Sequence, residues 1–274
     1  MKFPQNLRAV ITGAGSGLGR AFALNLAKNK ARILVADLKS ETAAETVALV
    51  RQAGGEAEAF VGDMSDPKVV ERLAAEAMRL YGGTDLLINN AGVASAGLVG
   101  EIPLGDWNWI LGINLMGVIY GCHYFIPQMK KQGKGWIINV ASSAGIASLP
   151  EMASYNVSKA GCIALSETLF AELAPHHINV TALCPTFFKT NLLDTFRSPS
   201  DRQQKLALNL MNRSKITSED VAAAALKGVE NGKLYVIPQM DGKAVWRLKR
   251  LSPQTYFKIV AKNYSSGLFD KLAK

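Results

Sequence analysis

Residues 8–28 read RAVITGAGSGLGRAFALNLAK and decide the first part of the fold. The β-prone run 8–12 leads directly into a glycine-rich turn, and a segment of helical composition follows from Arg20 to Lys28. Glycines let the backbone approach a pyrophosphate closely, and the start of a helix offers free N–H groups to it. Strand, glycine turn and helix in this order predict a dinucleotide site. The spacing G-x-x-x-G-x-G differs from the usual G-x-G-x-x-G, so a glycine turn without a nucleotide is the alternative.

The second predicted strand, 32–36, is followed by Asp37, which lies 18 residues after Gly19. A carboxylate at about this separation binds the ribose hydroxyls of a dinucleotide. Its charge repels a 2′-phosphate, so NAD is favoured over NADP, although Lys39 is near enough to favour the phosphate. The alternative is that Asp37 only caps the next helix, for which Ser40 is better placed.

A phenol and an ammonium lie four residues apart at Tyr155 and Lys159, and Ser142 lies 13 residues before the phenol. At this spacing on a helix the two side chains share one face. A nearby positive charge favours the ionised form of a tyrosine, whose pKa is about 10 in free peptides. Tyr155 is therefore a candidate acid/base. Because Y-x-x-x-K also occurs by chance on surface helices, a purely structural role is the alternative.

Together these motifs resemble the classical short-chain dehydrogenase/reductase family. The resemblance covers about residues 7–190 and depends on the joint order of its motifs rather than on any one of them. They are TGAGSGLG at 12–19, Asp63 after the third strand, NNAG at 89–92, Asn114, ASSAG at 141–145 and YNVSK at 155–159. The resemblance implies an oxidoreductase that transfers a hydride between a nicotinamide cofactor and an alcohol or ketone.

The resemblance also implies four catalytic residues. Tyr155 would give or take the proton of the substrate oxygen, and Ser142 would hydrogen-bond that oxygen. Lys159 would lower the pKa of Tyr155 and bind the nicotinamide ribose. Asn114 would hold a helix distortion and a water that passes the proton from Lys159 towards solvent.

The cofactor contacts that the resemblance implies follow the carboxyl ends of the strands. Asp63 and Met64 would frame the adenine, and residues 90–92 would wall the adenosine ribose. In the segment where the family usually has Pro-Gly-x-x-x-Thr, this chain has Thr186 in place of the glycine, which removes the freedom to adopt a positive φ. The full set is Gly13, Gly15, Ser16, Gly17, Leu18, Gly19, Asp37, Leu38, Asp63, Met64, Asn90, Ala91, Gly92, Tyr155, Lys159, Pro185, Phe188 and Thr190.

The composition fits an enzyme of the cytoplasm. The chain has 274 residues, of which 49% are hydrophobic, enough for one large core. No apolar run reaches the ~18 residues of a membrane span, and the start of the chain lacks the apolar stretch of a signal peptide. Three widely spaced cysteines and three histidines show no ligand spacing, so we predict no metal site. No base-stacking module accompanies the basic charge, so we expect no nucleic-acid partner.

The expected fold is α/β, a single Rossmann-like doubly wound domain over 1–240. Strands that alternate with helices indicate a parallel sheet with helices on both faces, and the resemblance implies about seven strands in the order 3-2-1-4-5-6-7. Residues 187–216, inside this domain, form the substrate loop. The strands are predicted at 7–12, 31–36, 57–61, 85–89, 135–141, 177–183 and 233–238. The helices are predicted at 17–29, 40–53, 66–80, 105–131, 153–174, 192–211 and 218–230.

Residues 241–274 form a basic, helical C-terminal extension that carries +6 of the chain's net charge of +9. In its first helix Val245, Leu248 and Leu251 share one face, and Pro253 begins a second helix. Such a basic amphipathic pair is typical of a peripheral contact with a membrane surface or of a hydrophobic cover. The alternative is a helix packed on the body with a solvated basic face.

The predicted substrate is a lipophilic secondary alcohol or ketone, and the chain is expected to form a homodimer or homotetramer. The walls expected at the substrate end are apolar and exclude little beyond highly charged molecules. They are Val93, Leu98, Ile146, Leu149, Met152, Phe187 and Phe188. Because fold does not imply function, the alternative is a non-catalytic dinucleotide-binding sensor or scaffold on the same fold.

Overall fold

A seven-stranded parallel sheet forms the centre of the computed structural model, which describes residues 1–273. The strands are β1 (Arg8–Thr12), β2 (Arg32–Asp37), β3 (Glu56–Val61), β4 (Leu86–Asn89), β5 (Gly135–Val140), β6 (Ile178–Leu183) and β7 (Tyr235–Val236). Their order is β3-β2-β1-β4-β5-β6-β7, which confirms the predicted sheet. β7 is shorter than the predicted 233–238, because only two of its residues pair with β6.

Helices cover both faces of the sheet. They are α1 (Gly17–Ala27), α2 (Ser40–Gln52), α3 (Pro67–Tyr81), α4 (Leu104–Leu111), α5 (Gly117–Gln132), α6 (Ala144–Ala147), α7 (Ala153–Glu172), α8 (Asp201–Asn212), α9 (Ser218–Glu230), α10 (Met240–Leu251), α11 (Pro253–Ser265) and α12 (Leu268–Leu272). Successive strand residues point to opposite faces. Ile11 and Ile33 accordingly pack with α1, α2 and α9, whereas Val10 and Leu34 pack with α3, α5 and α7.

The helix predicted at 192–211 is interrupted. A 3₁₀ turn covers Asn191–Leu193, and α8 begins only after Pro199. A proline has no N–H to donate and its ring clashes with the preceding turn, so a helix cannot run through this position undisturbed. The short helix α6, directly after β5, was not predicted.

α4 and α5 form one continuous helix, Leu104–Gln132, with a π-helical turn at Gly112–Met116. Asn114 lies inside that turn, so the helix distortion expected around it is present. By length and mean hydropathy of 1.4 this helix could cross a membrane, which the sequence analysis did not anticipate. A core helix passes the same test, and α5 packs against α3, β4 and β5 with Phe125 fully buried.

The two predicted C-terminal helices are present as α10 and α11, a third helix, α12, was not predicted, and only Lys274 lies outside the described residues. In α10, Leu251 is 86% exposed and Leu248 is 40% exposed, so the predicted apolar face points to solvent. The helix instead turns Lys249 towards the body, where its Nζ donates to the carbonyl oxygen of Ile146 at 2.5 Å. In α11, Tyr256 Oη donates to the carbonyl oxygen of Ala147 at 2.9 Å. The extension is therefore anchored on α6.

Gly145 allows α6 to pack directly on the backbone of α7. A Cβ at this position would lie 2.6 Å from the carbonyl carbon of Lys159 and 2.7 Å from the nitrogen of Ala160. We expect Gly145→Ala to lower the free energy of unfolding by about 1–3 kcal/mol, the usual cost of overpacking. Gly105→Ala is the matched control, because a Cβ there meets nothing and alanine favours a helix. Thermal unfolding of both variants checks this, and equal melting temperatures would contradict it.

Candidate functional site

The turn between β1 and α1 is held against the end of β4. Asn90 Nδ2 donates to the carbonyl oxygens of Thr12 and Gly13, each at 2.9 Å. Gly13 has a φ of +61°, and a Cβ there would lie 2.8 Å from Ala91 Cα. A Cβ at Gly19 would lie 2.2 Å from the Gly13 oxygen. Side chains are thus excluded at both glycines, and the two segments can approach closely.

The N-terminus of α1 opens into the cavity formed next to this turn. The helix begins at Gly17, and the preceding Ser16 makes no side-chain capping bond to it. The first N–H groups of a helix have no acceptor within the helix and lie at the positive end of its dipole. Ser16, Gly17 and Leu18 all line the cavity, so its chemistry here suits an anionic group such as a pyrophosphate.

Asp37, at the end of β2, lines the same cavity with an oriented carboxylate. Its Oδ2 accepts the N–H of Gly15 at 2.8 Å, and its Oδ1 accepts the Thr42 hydroxyl at 3.2 Å and the N–H of Lys39 at 3.1 Å. A carboxylate offers about four acceptor sites, so a further donor can still bind. Leu38 is exposed beside it.

One cavity of about 420 Å³ brings most of the predicted site residues together. It extends from the glycine turn to the catalytic candidates on α7 and includes the residues expected at the adenine, Asp63 and Met64. Three predicted residues do not line it. Gly15 and Gly19 support the turn from behind, and Asn114 is fully buried.

Ser142, Tyr155 and Lys159 meet at one end of this cavity. Tyr155 and Lys159 project from α7, while Ser142 follows β5 and lies near enough to Tyr155 to affect its ionisation. Lys159 Nζ donates to the carbonyl oxygen of Val140 at 2.8 Å and lies 5.7 Å from the centre of the Tyr155 ring. Tyr155 and Lys159 are both buried. The predicted phenol, hydroxyl and ammonium are therefore neighbours in the fold.

Burial controls the ionisation of these groups. It raises the pKa of Tyr155 to about 12, although the nearby Ser142 hydroxyl acts in the opposite direction. Burial also lowers the pKa of Lys159. The net shift of the Tyr155 pKa is upwards because the loss of water around the phenolate outweighs the other effects, and the lowering by Lys159 stays a prediction.

Asn114 acts on the site through the loop after β4. Its Oδ1 accepts the N–H of Val93 at 2.8 Å, and its Nδ2 donates to the Val93 carbonyl oxygen at 2.9 Å and to Ser158 Oγ at 3.2 Å. A Cβ placed on Gly92 would lie 3.2 Å from Asn114 Oδ1 and 3.5 Å from Lys159 Nζ. Asn114 and Lys159 thus lie close to the same point of the backbone.

Thr186, the departure from the usual family sequence, connects the cavity to the C-terminal extension. Its N–H donates to Gln239 Oε1 at 3.0 Å, and its hydroxyl donates to Asp241 Oδ1 at 3.3 Å. Its methyl group would lie 2.9 Å from a Cβ at Gly242. A threonine at this position therefore has partners that a glycine would lack.

The neighbouring cofactor candidates also lie on the cavity wall. The Pro185 carbonyl oxygen accepts the N–H of Ser143 at 2.9 Å, which ties this segment to the one that carries Ser142. Thr190 Oγ1 accepts the N–H of Leu192 at 3.2 Å, and Phe188 is buried. Pro185, Phe188 and Thr190 all line the cavity.

The substrate end has more apolar walls than the sequence analysis identified. Leu98 and Ile146 do not line the cavity, whereas the other five predicted wall residues do. Ala207 and Met211 reach the cavity from α8. Their spacing of four residues, which places both on one face of a helix, is the sequence signal that could have identified them. Five further wall residues lie within the predicted substrate loop 187–216 but were not named individually: Leu192, Leu193, Phe196, Ala207 and Met211.

The cysteines take no part in this site. All three are free and buried, and burial raises the pKa of Cys122 to about 12 and that of Cys162 to about 11. Within residues 1–273 no group of three or more His, Cys, Asp or Glu side chains is arranged to hold a metal ion.

The family described as short chain dehydrogenase matches residues 8–201, which include the glycine turn and the Ser142, Tyr155 and Lys159 group. The chain belongs to this oxidoreductase family. A crystal structure of a short chain dehydrogenase/reductase from Burkholderia phymatum in complex with NAD is 32% identical. It superposes with a TM-score of 0.88 over 93% of this chain and 96% of that one.

Two curated relatives extend the comparison within the short-chain dehydrogenases. "Probable oxidoreductase EphD" of Mycobacterium tuberculosis is 32% identical over 253 residues, which are 89% of this chain but only 43% of the relative. The chain therefore spans less than half the length of EphD. "3-oxoacyl-[acyl-carrier-protein] reductase FabG" of Thermotoga maritima is 30% identical over 234 residues, 85% of this chain and 94% of the relative.

Proposed function

We propose that this protein is an NAD-dependent dehydrogenase or reductase that interconverts a lipophilic secondary alcohol and its ketone. The observation that carries the proposal is the meeting of Ser142, Tyr155 and Lys159 at one end of a cavity whose other end is an open glycine turn. A nucleotide sensor without catalysis would need the turn but would have no use for the three polar groups. The geometry therefore favours an enzyme.

The residues of the cavity fit a nicotinamide dinucleotide. The glycine turn excludes Cβ atoms where a pyrophosphate would approach, and α1 directs its N-terminus there. Asp37 is positioned to accept the hydroxyls of a ribose, and its charge favours NAD over NADP. The solved relative from Burkholderia phymatum holds NAD, which supports the same cofactor here. When bound, the nicotinamide supplies the acceptor or donor of the hydride.

Tyr155 and Ser142 act on the substrate oxygen in this proposal. Ser142 stabilises the negative charge that develops on that oxygen, and Tyr155 removes or supplies its proton. Both residues line the same cavity, where one substrate oxygen could contact both hydroxyls. A phenol with a raised pKa is protonated at neutral pH and is ready to act as the acid in ketone reduction.

Lys159 and Asn114 support this proton transfer. Lys159 holds its ammonium group beside the Tyr155 ring by donating to Val140 O, and it is also placed to bind a ribose hydroxyl. Asn114 fixes the Val93 backbone near that ammonium group. We propose that a proton leaves Tyr155 by way of Lys159 and a water held next to Asn114.

The walls of the substrate end favour an apolar molecule. Three separate segments contribute apolar side chains to these walls. Burial of a hydrocarbon group against them would stabilise its binding. The relative named as a 3-oxoacyl reductase acts on a carbonyl attached to an acyl chain, which supports the same broad class of substrate.

We propose a cytoplasmic homodimer or homotetramer. The basic extension is anchored on α6. This anchoring favours a role as a cover of the substrate end rather than as a peripheral contact with a membrane.

Tyr155→Phe keeps the ring and removes only the hydroxyl. We expect turnover to fall by about 10²- to 10⁴-fold, the usual contribution of general acid–base catalysis, while NAD still binds. Reduced-cofactor absorbance with a panel of hydrophobic alcohols gives the rate, and a fluorescence titration gives the affinity for NAD. Tyr124→Phe, outside the cavity, is the control. Binding of NAD by the wild type without turnover of any alcohol or ketone would favour the sensor instead.

The raised pKa of Tyr155 sets the direction of the pH dependence. Alcohol oxidation needs the phenolate, so kcat/KM should increase from neutral to alkaline pH, whereas ketone reduction needs the phenol and should decrease there. Ser142→Ala removes a hydroxyl that lowers the Tyr155 pKa, so the midpoint of both profiles should move to higher pH. Ser143→Ala, which removes the adjacent hydroxyl, should leave the midpoint in place. Unchanged midpoints in Ser142→Ala would refute this assignment.

Asp37 should make kcat/KM for NAD exceed that for NADP. Asp37→Asn removes the charge that repels a 2′-phosphate. It should lower the ratio of kcat/KM for NAD to kcat/KM for NADP. Glu41→Gln removes a nearby charge that does not line the cavity and should leave the ratio unchanged. A wild-type preference for NADP would instead identify Lys39 as the dominant group.

A further inference from the structure

Glu151 joins three parts of the chain through one buried carboxylate. Its side chain is 5% exposed. It accepts Arg202 Nη2 at 2.5 Å and Gln203 Nε2 at 2.9 Å, both from α8. It also accepts the hydroxyl of Tyr264, from α11, at 3.1 Å. The carboxylate therefore links the wall helix α8 to the C-terminal extension.

The backbone of Glu151 is equally constrained. Its φ is +61°, a left-handed conformation that is unfavourable for a residue with a Cβ and must be held by its surroundings. Its carbonyl oxygen accepts the N–H of Gly97 at 2.7 Å. The next residue, Met152, lines the cavity, and α7 with Tyr155 begins directly after it. Displacement of Glu151 would therefore also displace Met152 in the substrate wall.

α8 is held from its outer side by the same extension. Arg202 Nη1 lies 3.2 Å from Asp270 Oδ1, and Asn209 Nδ2 donates to the carbonyl oxygen of Leu272 at 3.1 Å. The inner side of α8 carries Ala207 and Met211 into the cavity. The extension therefore crosses the outside of the helix whose inside closes the substrate end.

We propose that Glu151 is a positioning residue for the substrate, which keeps α8 closed over the apolar end of the cavity by tying it to α11. The inference rests on the proposed function, since it assigns the affinity for a lipophilic substrate to this link. Glu151 touches no reacting atom. A helix that is closed for only part of the time weakens apparent binding in proportion, while the chemistry of the bound complex is preserved.

The electrostatics of the link agree with this role. Burial raises the pKa of Glu151, but the hydrogen bonds from Gln203, Arg202 and Tyr264 outweigh burial, so the net shift is downwards. The carboxylate is therefore ionised at neutral pH, opposite the Arg202 guanidinium. Hydrogen bonds to buried charged groups are among the stronger ones, so their loss should be measurable.

The test uses the full-length protein with NAD and secondary alcohols of increasing chain length. Glu151→Gln keeps the shape and removes the charge, and Tyr264→Phe removes only the hydroxyl from the extension. We expect Glu151→Gln to raise KM for long alcohols by about tenfold or more, with KM for short alcohols, kcat and NAD affinity nearly unchanged. Tyr264→Phe should change KM in the same direction by less. Glu58→Gln, which breaks an exposed ion pair with Arg51, is the matched control.

Hydrogen exchange of residues 201–212 supplies a readout that needs no substrate. Exchange there should be faster in Glu151→Gln and Tyr264→Phe than in the wild type and Glu58→Gln. Equal exchange would overturn the link. A lower melting temperature together with the same loss of kcat for every alcohol would overturn it as well. If the wild type oxidised no alcohol, the proposed function would fail, and faster exchange in the two variants would still establish the link between Glu151 and α8.

Discussion

The candidate site depends on the contact between the carboxyl ends of β1 and β4. Thr12 Oγ1 accepts the N–H groups of Asn90 and Ala91, each at 3.0 Å, and the Asn90 amide returns two hydrogen bonds to the glycine turn. β1 lies between β2 and β4 in the sheet. After β1 the chain continues to β2 on one side, and after β4 it continues to β5 on the other side. A crevice opens at such a point, and the cavity lies there. Loss of the contact would separate the turn from the residues expected at the ribose.

Much of this arrangement could be predicted because its signals are local. Gly13 and Gly19 are required by contacts with adjacent segments, so the glycine pattern alone indicates a close approach. The spacing of Tyr155 and Lys159 indicates a shared helical face, and Ser142 follows a strand whose position is clear from its hydrophobic run. The sheet order follows from the family resemblance and could not have been derived from periodicity alone.

The features that were missed depend on contacts between distant segments. Burial is the main cause of the Tyr155 pKa shift, and the sequence does not give burial, so the spacing of Tyr155 and Lys159 could not predict the net direction. The sequence places the apolar residues of α10 on one face but does not give the orientation of the helix, which depends on the bond from Lys249 to the carbonyl oxygen of Ile146, 103 positions away. Ala207 and Met211 become wall residues only because α8 is placed across the cavity.

The extension differs physically from the rest of the protein. α10 and α11 each bury a single residue, Gly242 and Tyr256, so the extension adds little to the hydrophobic core. Apart from Trp246, which packs against the core, it is held to the body by directional bonds to α6, Glu151 and α8. Such bonds contribute modest net stability but fix geometry, because each requires a definite distance and angle.

This distinction bears on why the extension is attached at the substrate end. A cover stabilised mainly by apolar burial would pack against any lipophilic surface, including a bound substrate. A cover held by polar bonds at its edges leaves the apolar inner side of α8 free to contact substrate. The polar attachment and the apolar lining are therefore complementary requirements for one helix that has to stay in place and still bind hydrocarbon.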